Sequence, residues 1–262
     1  MEFNIRRFDT TGSTNSIALE NIKVDRHFTV YWARFQERGR GQRGKGWESE
    51  KDKNLLFSIL LKEIDIKAKE QFQISQTISL AIVDYLSKRG MKAKIKWPND
   101  IYIEDKKICG ILIEHYLMGD ILSASIVGIG LNVNQRLFLS GAPNPISLTE
   151  LTGVEHSLEE ELHLLLSVIY ERFETFYWGE RERAVTALGR EYKGYLYRVG
   201  EFALYQNANS STAEAVGEPF EAKIVGVTDI GELILKRRNG HSATYSFKEV
   251  RYIIDSSDSS LQ

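Results

Sequence analysis

Residues Gly39–Trp47 read GRGQRGKGW. Four glycines alternate with three cations and the run closes on a tryptophan. Each glycine would cost a helix about 1 kcal/mol relative to alanine, so no helix forms here. The stretch reads as a mobile loop with exposed amides in a positive setting. It suits a phosphate or carboxylate, or else it is an ordinary solvated surface loop. It lacks a terminal Gly-Lys-Ser/Thr and leads into a strand rather than a helix, which argues against the Walker A and dinucleotide-binding folds.

On either side of this loop the pattern is extended. Phe28–Phe35 is aromatic and β-branched, and Asn54–Lys62 is an apolar run of buried-strand length. Towards the N-terminus, Phe3–Phe8 alternates as a strand, and Ser13 or Thr14 caps a helix running to Ile22. Beyond the loop, Phe72–Leu86 has helical spacing and Lys92–Pro98 alternates as a strand. Ile101–Glu104 and Lys107–Tyr116 form a hairpin across Asp105-Lys106. Ile121–Asn134 is a further strand, whose Gly128 and Gly130 mark either a close backbone approach or a bulge. One packing helix is expected from Leu158 to about Leu188. Short strands then follow at Arg198–Gln206, Phe220–Val227, Glu232–Arg238 and His241–Phe247, spaced as in a small β-barrel.

Composition narrows the chemistry. The 262 residues are 42% hydrophobic with a formal net charge of −2, so a general nucleic-acid binder is not expected and any positive patch is local. The single cysteine, Cys109, allows no intrachain disulfide, and five scattered histidines offer no zinc cluster or Ser/His/Asp arrangement. The N-terminus carries no signal peptide, and no apolar run approaches the roughly 20 residues of a membrane span, so a cytoplasmic protein is expected.

Lys96-Trp97-Pro98-Asn99-Asp100 is the second informative stretch. Pro98 forces Trp97 into an extended conformation, so the strand ends with Lys96 still on it, holding an ammonium where negative charge could be stabilised. Asn99 and Asp100 could orient Mg²⁺ or an amine, or simply form an Asn-Asp turn. Ser13-Thr14-Asn15 supplies three compact hydrogen-bonding groups where capping needs one. Gly110 marks a bulge or a flat-lying ligand, and Cys109 is a small hydrophobe rather than a nucleophile.

Taken in order, STN at Ser13–Asn15, Gln36 before Gly39–Trp47, KWPND at Lys96–Asp100, KICGILIE at Lys107–Glu114 and GIGLNVN at Gly128–Asn134 resemble the biotin–protein ligases. The resemblance implies an α+β fold: a mixed central β-sheet flanked by helices, of the class II synthetase-like biotin/lipoate ligase type. It implies a catalytic domain over 1–190, a C-terminal SH3-like β-barrel over 195–254 and a disordered tail over 255–262. The implied activity is ATP-dependent formation of biotinyl-5′-AMP and transfer to a lysine of a biotin carboxyl carrier protein, or biotinyl domain of a carboxylase, with ATP and Mg²⁺. By the same resemblance, Ser13, Thr14, Asn15, Gln36, Gly39, Arg40, Gly41, Gln42, Lys96 and Gly110 would hold biotin. Arg40, Arg43, Trp47, Asn99, Asp100, Lys107 and Asn132 would hold ATP. Lys96 and Arg40 would be catalytic and Asp100 would reach the metal. The glycines would let the loop close over the adenylate. Many members have Arg where this loop has Gln42. STN by residue 13 leaves no room for the winged helix of bacterial relatives, so no repressor role is expected; nor is binding to nucleic acid or membrane. A monomer or homodimer fits. A lipoate–protein ligase and a non-catalytic binding module are the alternatives.

Overall fold

The computed structural model describes residues 2–42, 46–62, 66–139, 144–177, 181–209 and 215–254. Arg43 and the predicted tail lie outside them. The first half of the chain alternates short strands and helices: β1 (Ile5–Thr11), α1 (Thr14–Glu20), β2 (Thr29–Gln36), β3 (Leu55–Lys62), α2 (Phe72–Ser87), β4 (Ala93–Lys96), β5 (Asp100–Ile103), β6 (Lys106–Met118) and β7 (Ile121–Leu131). These strands make one sheet in the order β1-β2-β3-β7-β6-β5-β4. Only β1 and β2 run parallel; every other pair is antiparallel.

Alternation along the strands divides the sheet into two faces. Leu55, Phe57, Ile59 and Leu61 of β3 turn to a large core shared with α2 and with two later helices, α4 (Leu158–Tyr177) and α5 (Arg181–Tyr195). The opposite face carries Leu60 of β3 and Ala124 and Ile126 of β7, covered by Ala18 of α1. α1 reaches only part of that face. Beyond it, register aligns Ser58 with Gly128 and Leu112, and Leu56 with Gly130 and Gly110. Ser58, Gly110, Gly128 and Gly130 therefore help floor a hollow that no helix among the described residues covers.

The helix predicted over Leu158–Leu188 is corrected to two. Arg172 on α4 bonds Glu191 on α5 at 2.6 Å, and 19 residues of continuous helix would separate them by about 28 Å. The two therefore fold back as a pair. A short α3 (Leu148–Thr152), not foreseen, is capped by a reciprocal Ser147–Glu150 box and closed by Gly153 at φ 79°. The β5–β6 turn lies at Glu104-Asp105, one residue earlier than expected, with β6 starting at Lys106.

The C-terminal region forms a second, antiparallel sheet from β8 (Phe202–Ala208), β9 (Ala215–Val227), β10 (Leu233–Arg237), β11 (Ser242–Tyr245) and β12 (Val250–Tyr252), in the order β11-β10-β9-β8-β12. This arrangement is consistent with the SH3-like module. β9 begins at Ala215, earlier than the predicted Phe220, and Gly217 and Pro219 sit where the β8–β9 register shifts. β12 is three residues long, too short to show alternation, and was missed.

The two sheets share one continuous core, to which Ile224, Leu235 and Val250 contribute. Tyr197 N–H donates to Ile95 O at 2.9 Å, so the chain enters the second sheet paired to β4. Trp97 Nε1 donates to Gly231 O at 2.8 Å. Gly231 has φ 93°, and a Cβ there would lie 2.6 Å from the Phe72 ring.

Candidate active site

A cavity of about 730 Å³ opens over the uncovered face of the central sheet, walled by the glycine-rich loop, the end of β4 and the second sheet. Every predicted site residue among those described lines it except Gly39. Gly39 acts from behind: Trp47 N–H donates to its carbonyl at 2.9 Å, and a Cβ at Gly39 would lie 2.8 Å from Trp47 O. With a bridge from Arg40 to Gly46, this pinches the base of the loop closed.

One end of the cavity is a buried, mostly neutral cradle. Thr14 N–H donates to Gln36 Oε1 at 2.7 Å. Ser58 Oγ lies 2.7 Å from Thr14 Oγ1 and 2.6 Å from Asn15 Oδ1. Asn15 Nδ2 donates to Glu114 Oε2 at 2.7 Å, and Glu114 also takes Arg40 Nη2 at 2.9 Å. Asn15 lies so close to the floor that a Cβ on Gly128 would come within 2.3 Å of its Oδ1. Gly128 is therefore a close-approach glycine; the β3–β7 register runs through it without a bulge. Ser13 occupies the N-cap of α1, yet its side chain makes no capping bond, which corrects the expectation that it caps.

Beside the cradle, the Trp47 indole lies flat on the backbones of Gly110 and Gly130, which face each other across β6 and β7. A Cβ would meet the ring at 2.7 Å from Gly110 and 2.5 Å from Gly130. Lys107 Nζ stands 5.4 Å from the ring centroid and 2.6 Å from Asp100 Oδ1. Trp47 Nε1 and Asn132 Oδ1 are buried without a hydrogen-bond partner among the described residues. Asn132 Nδ2 is committed to Ile146 O at 3.1 Å, and Asn99 Nδ2 to Ile111 O at 2.6 Å. Cys109, on the next position of β6, is fully buried with its thiol pushed far above the ordinary range by desolvation, as expected of a packing residue.

Lys96 ends β4 as anticipated. Its Nζ is 4.9 Å from the Tyr102 ring centroid and 5.2 Å from that of Tyr252. The second sheet also lines the cavity through Lys248, Val250 and Arg251. Cations on the lining are thus Arg40, Lys96, Lys107, Lys248 and Arg251, against carboxylates of Glu48 and Asp100. A chain with net charge −2 assembles a positive cavity from four separate segments rather than from one loop. Asp100, predicted for Mg²⁺, is engaged by Lys107, and no group of three metal-ligating side chains occurs among the described residues. These side chains do not fit a resident metal site.

The sequence model of the biotin/lipoate A/B protein ligase family matches residues 8–132. The chain is 31% identical to the biotin–[acetyl-CoA-carboxylase] ligase of Paracoccus denitrificans, over 86% of this chain and 91% of that one. The chain belongs to the biotin–protein ligase family. It is 28% identical to the bifunctional ligase/repressor BirA of Bacillus subtilis over 83% of its own length, and spans 64% of that relative. Among solved structures, the biotin protein ligase of Aquifex aeolicus in complex with biotin and ATP superposes with a TM-score of 0.74 at 25% identity, covering 95% of this chain and 99% of that one.

Several contributors to this ligase-family cavity escaped the sequence reading. Ser58 carried a signal, a lone hydroxyl in the apolar run NLLFSILLK that is fully buried. Glu114 was the last letter of a quoted motif and was given no role. Arg251 and Tyr252 carried no signal, because only the docking of the second sheet brings them here.

Proposed function

We propose that the chain activates biotin with ATP and passes the biotinyl group to a lysine of a carrier domain. The observation that carries this reading is the joining, in one cavity, of a neutral hydrogen-bonding cradle at Thr14, Asn15, Gln36 and Ser58 with the cations Arg40, Lys96 and Lys107. Biotin has the same two-ended character, a neutral ureido ring and a carboxylate. Its ring atoms need partners once buried, which the cradle can supply by exchanging its internal bonds. The likeness to the Aquifex aeolicus enzyme with biotin and ATP supports the same pair of substrates.

In the first step a biotin carboxylate oxygen attacks the α-phosphorus of ATP. The bond to the β-phosphate oxygen breaks and pyrophosphate leaves. Lys96 and Arg40 offset the charge that gathers between carboxylate and phosphate, and Lys107, Lys248 and Arg251 face the departing phosphates. The orphaned Trp47 N–H and Asn132 carbonyl give the adenine a donor and an acceptor. Mg²⁺ enters as the counter-ion of ATP, carried by the phosphates. In the second step the carrier lysine, as free amine, attacks the acyl carbon; AMP leaves and the amine proton passes to solvent. Neither step needs a protein nucleophile. Arg40, Gly41, Gln42, Gly46 and Trp47 on the cavity wall would help keep water from the mixed anhydride. The acceptor is a biotin carboxyl carrier protein or carboxylase domain in the cytoplasm, and the reading assigns no DNA-binding role to the described residues.

Biotin-dependent ATP–pyrophosphate exchange, followed by label transfer to a biotinyl domain, tests the reading. Absence of both at saturating biotin and Mg-ATP refutes it, and faster activation of lipoate than of biotin redirects it to the sister activity. Lys96→Ala is expected to cut adenylate formation by about a hundredfold or more while leaving the fold intact.

A further inference from the structure

Lys96 is a long, flexible side chain, and being at the end of a strand does not by itself hold its ammonium at one point. Two aromatic faces do so here. Tyr102, on the neighbouring strand β5, is buried and lies 4.9 Å from Nζ; Tyr252, on β12 of the second sheet, lies 5.2 Å away. Both distances are within cation–π range, where the negative face of the ring attracts the ammonium. Both rings are firmly mounted. Tyr252 pairs in register with Tyr205, at 5.3 Å between centroids, and Tyr197 stands against Tyr252 at 6.1 Å and Tyr102 at 5.5 Å. Ile253 N–H donates to Leu204 O at 3.0 Å, fixing the backbone next to Tyr252.

We propose that Tyr252 is a positioning residue for activation: with Tyr102 it cradles the Lys96 ammonium, and thereby makes the C-terminal sheet a working part of the adenylation site. The inference rests on the activity proposed above. It differs from a packing role because it depends on the π face, which phenylalanine keeps and leucine lacks at similar bulk.

Tyr252→Leu is expected to lower the turnover of biotin-dependent ATP–pyrophosphate exchange about tenfold, with the biotin KM within about twofold, and Tyr252→Phe to stay within about threefold of the parent. A second readout needs no activity. Reductively ¹³C-methylated Lys96, identified by its loss in Lys96→Arg, should resonate upfield through the ring currents of its two tyrosines. The signal should keep much of that shift in Tyr252→Phe and move downfield in Tyr252→Leu. Thermal melting checks the fold, and Tyr252→Met replaces the leucine variant if that one does not fold. Equal rates and equal Lys96 shifts in parent and Tyr252→Leu overturn the proposal, as does a phenylalanine variant as impaired as the leucine one. If the parent shows no exchange, the activity reading fails and the ring-current shift still decides whether Tyr252 holds Lys96.

Discussion

At the scale of single residues, the small side chains of the floor decide what the cavity admits. Gly128 was legible as a glycine with a reason, but the two readings, bulge or close approach, differ only in what lies above it, and Asn15 is 113 positions away in the chain. Gly128→Ala should push Asn15 off Ser58 and Glu114, because its Cβ would meet Oδ1 at 2.3 Å. The expected result is biotin affinity reduced by about tenfold or more in calorimetric titration, with little change in melting temperature. His115, on β6 beside Glu114, makes a separate prediction. Burial pushes its imidazole down from 6.5 to about 4, next to Ser125 Oγ at 2.8 Å. Between those values the unfolded chain takes up a proton that the native chain refuses, so stability falls as pH drops from 6.5 towards 4 and the loss levels off below. His115→Gln should flatten that part of the curve of melting temperature against pH.

Among elements, the strands around the glycine-rich loop and helix α2 were readable because apolar period and length agreed, with Gly90 at φ 75° just beyond the helix. The α4–α5 pair was not. Apolar residues at helical spacing continue through both helices, and the sequence between carries a single glycine, Gly179. What separates them is contact across the fold: Arg172 bonds Asp84 on α2 as well as Glu191 on α5. Arg172→Ala leaves two partly buried carboxylates without their cation, and should lower unfolding free energy by about 1–3 kcal/mol in urea titration while biotin activation by the folded fraction persists. Equal midpoints for parent and variant would show that apolar packing alone holds the helix pair to α2.

For the whole molecule, the decisive event is the docking of the C-terminal sheet beside KWPND. Trp97→Phe removes the bond to Gly231 O and should cost about 1 kcal/mol. Hydrogen exchange across β8–β12 should quicken and activation should slow together; faster exchange with unchanged activation would uncouple the sheet from catalysis. The sequence alone determined the local chemistry: a loop too glycine-rich to be regular, a strand that must stop at Lys96 before Pro98, and a β-rich C-terminal module. Those are consequences of backbone sterics and period, which act within a few residues. Tertiary structure decided which of these groups meet. It set Ser58 under Asn15, Glu114 against Arg40, Trp47 on Gly110 and Gly130, and Tyr252 beneath the ammonium of Lys96. Such pairings depend on sheet register and on the packing of one sheet against another, and neither leaves a periodic trace in the chain.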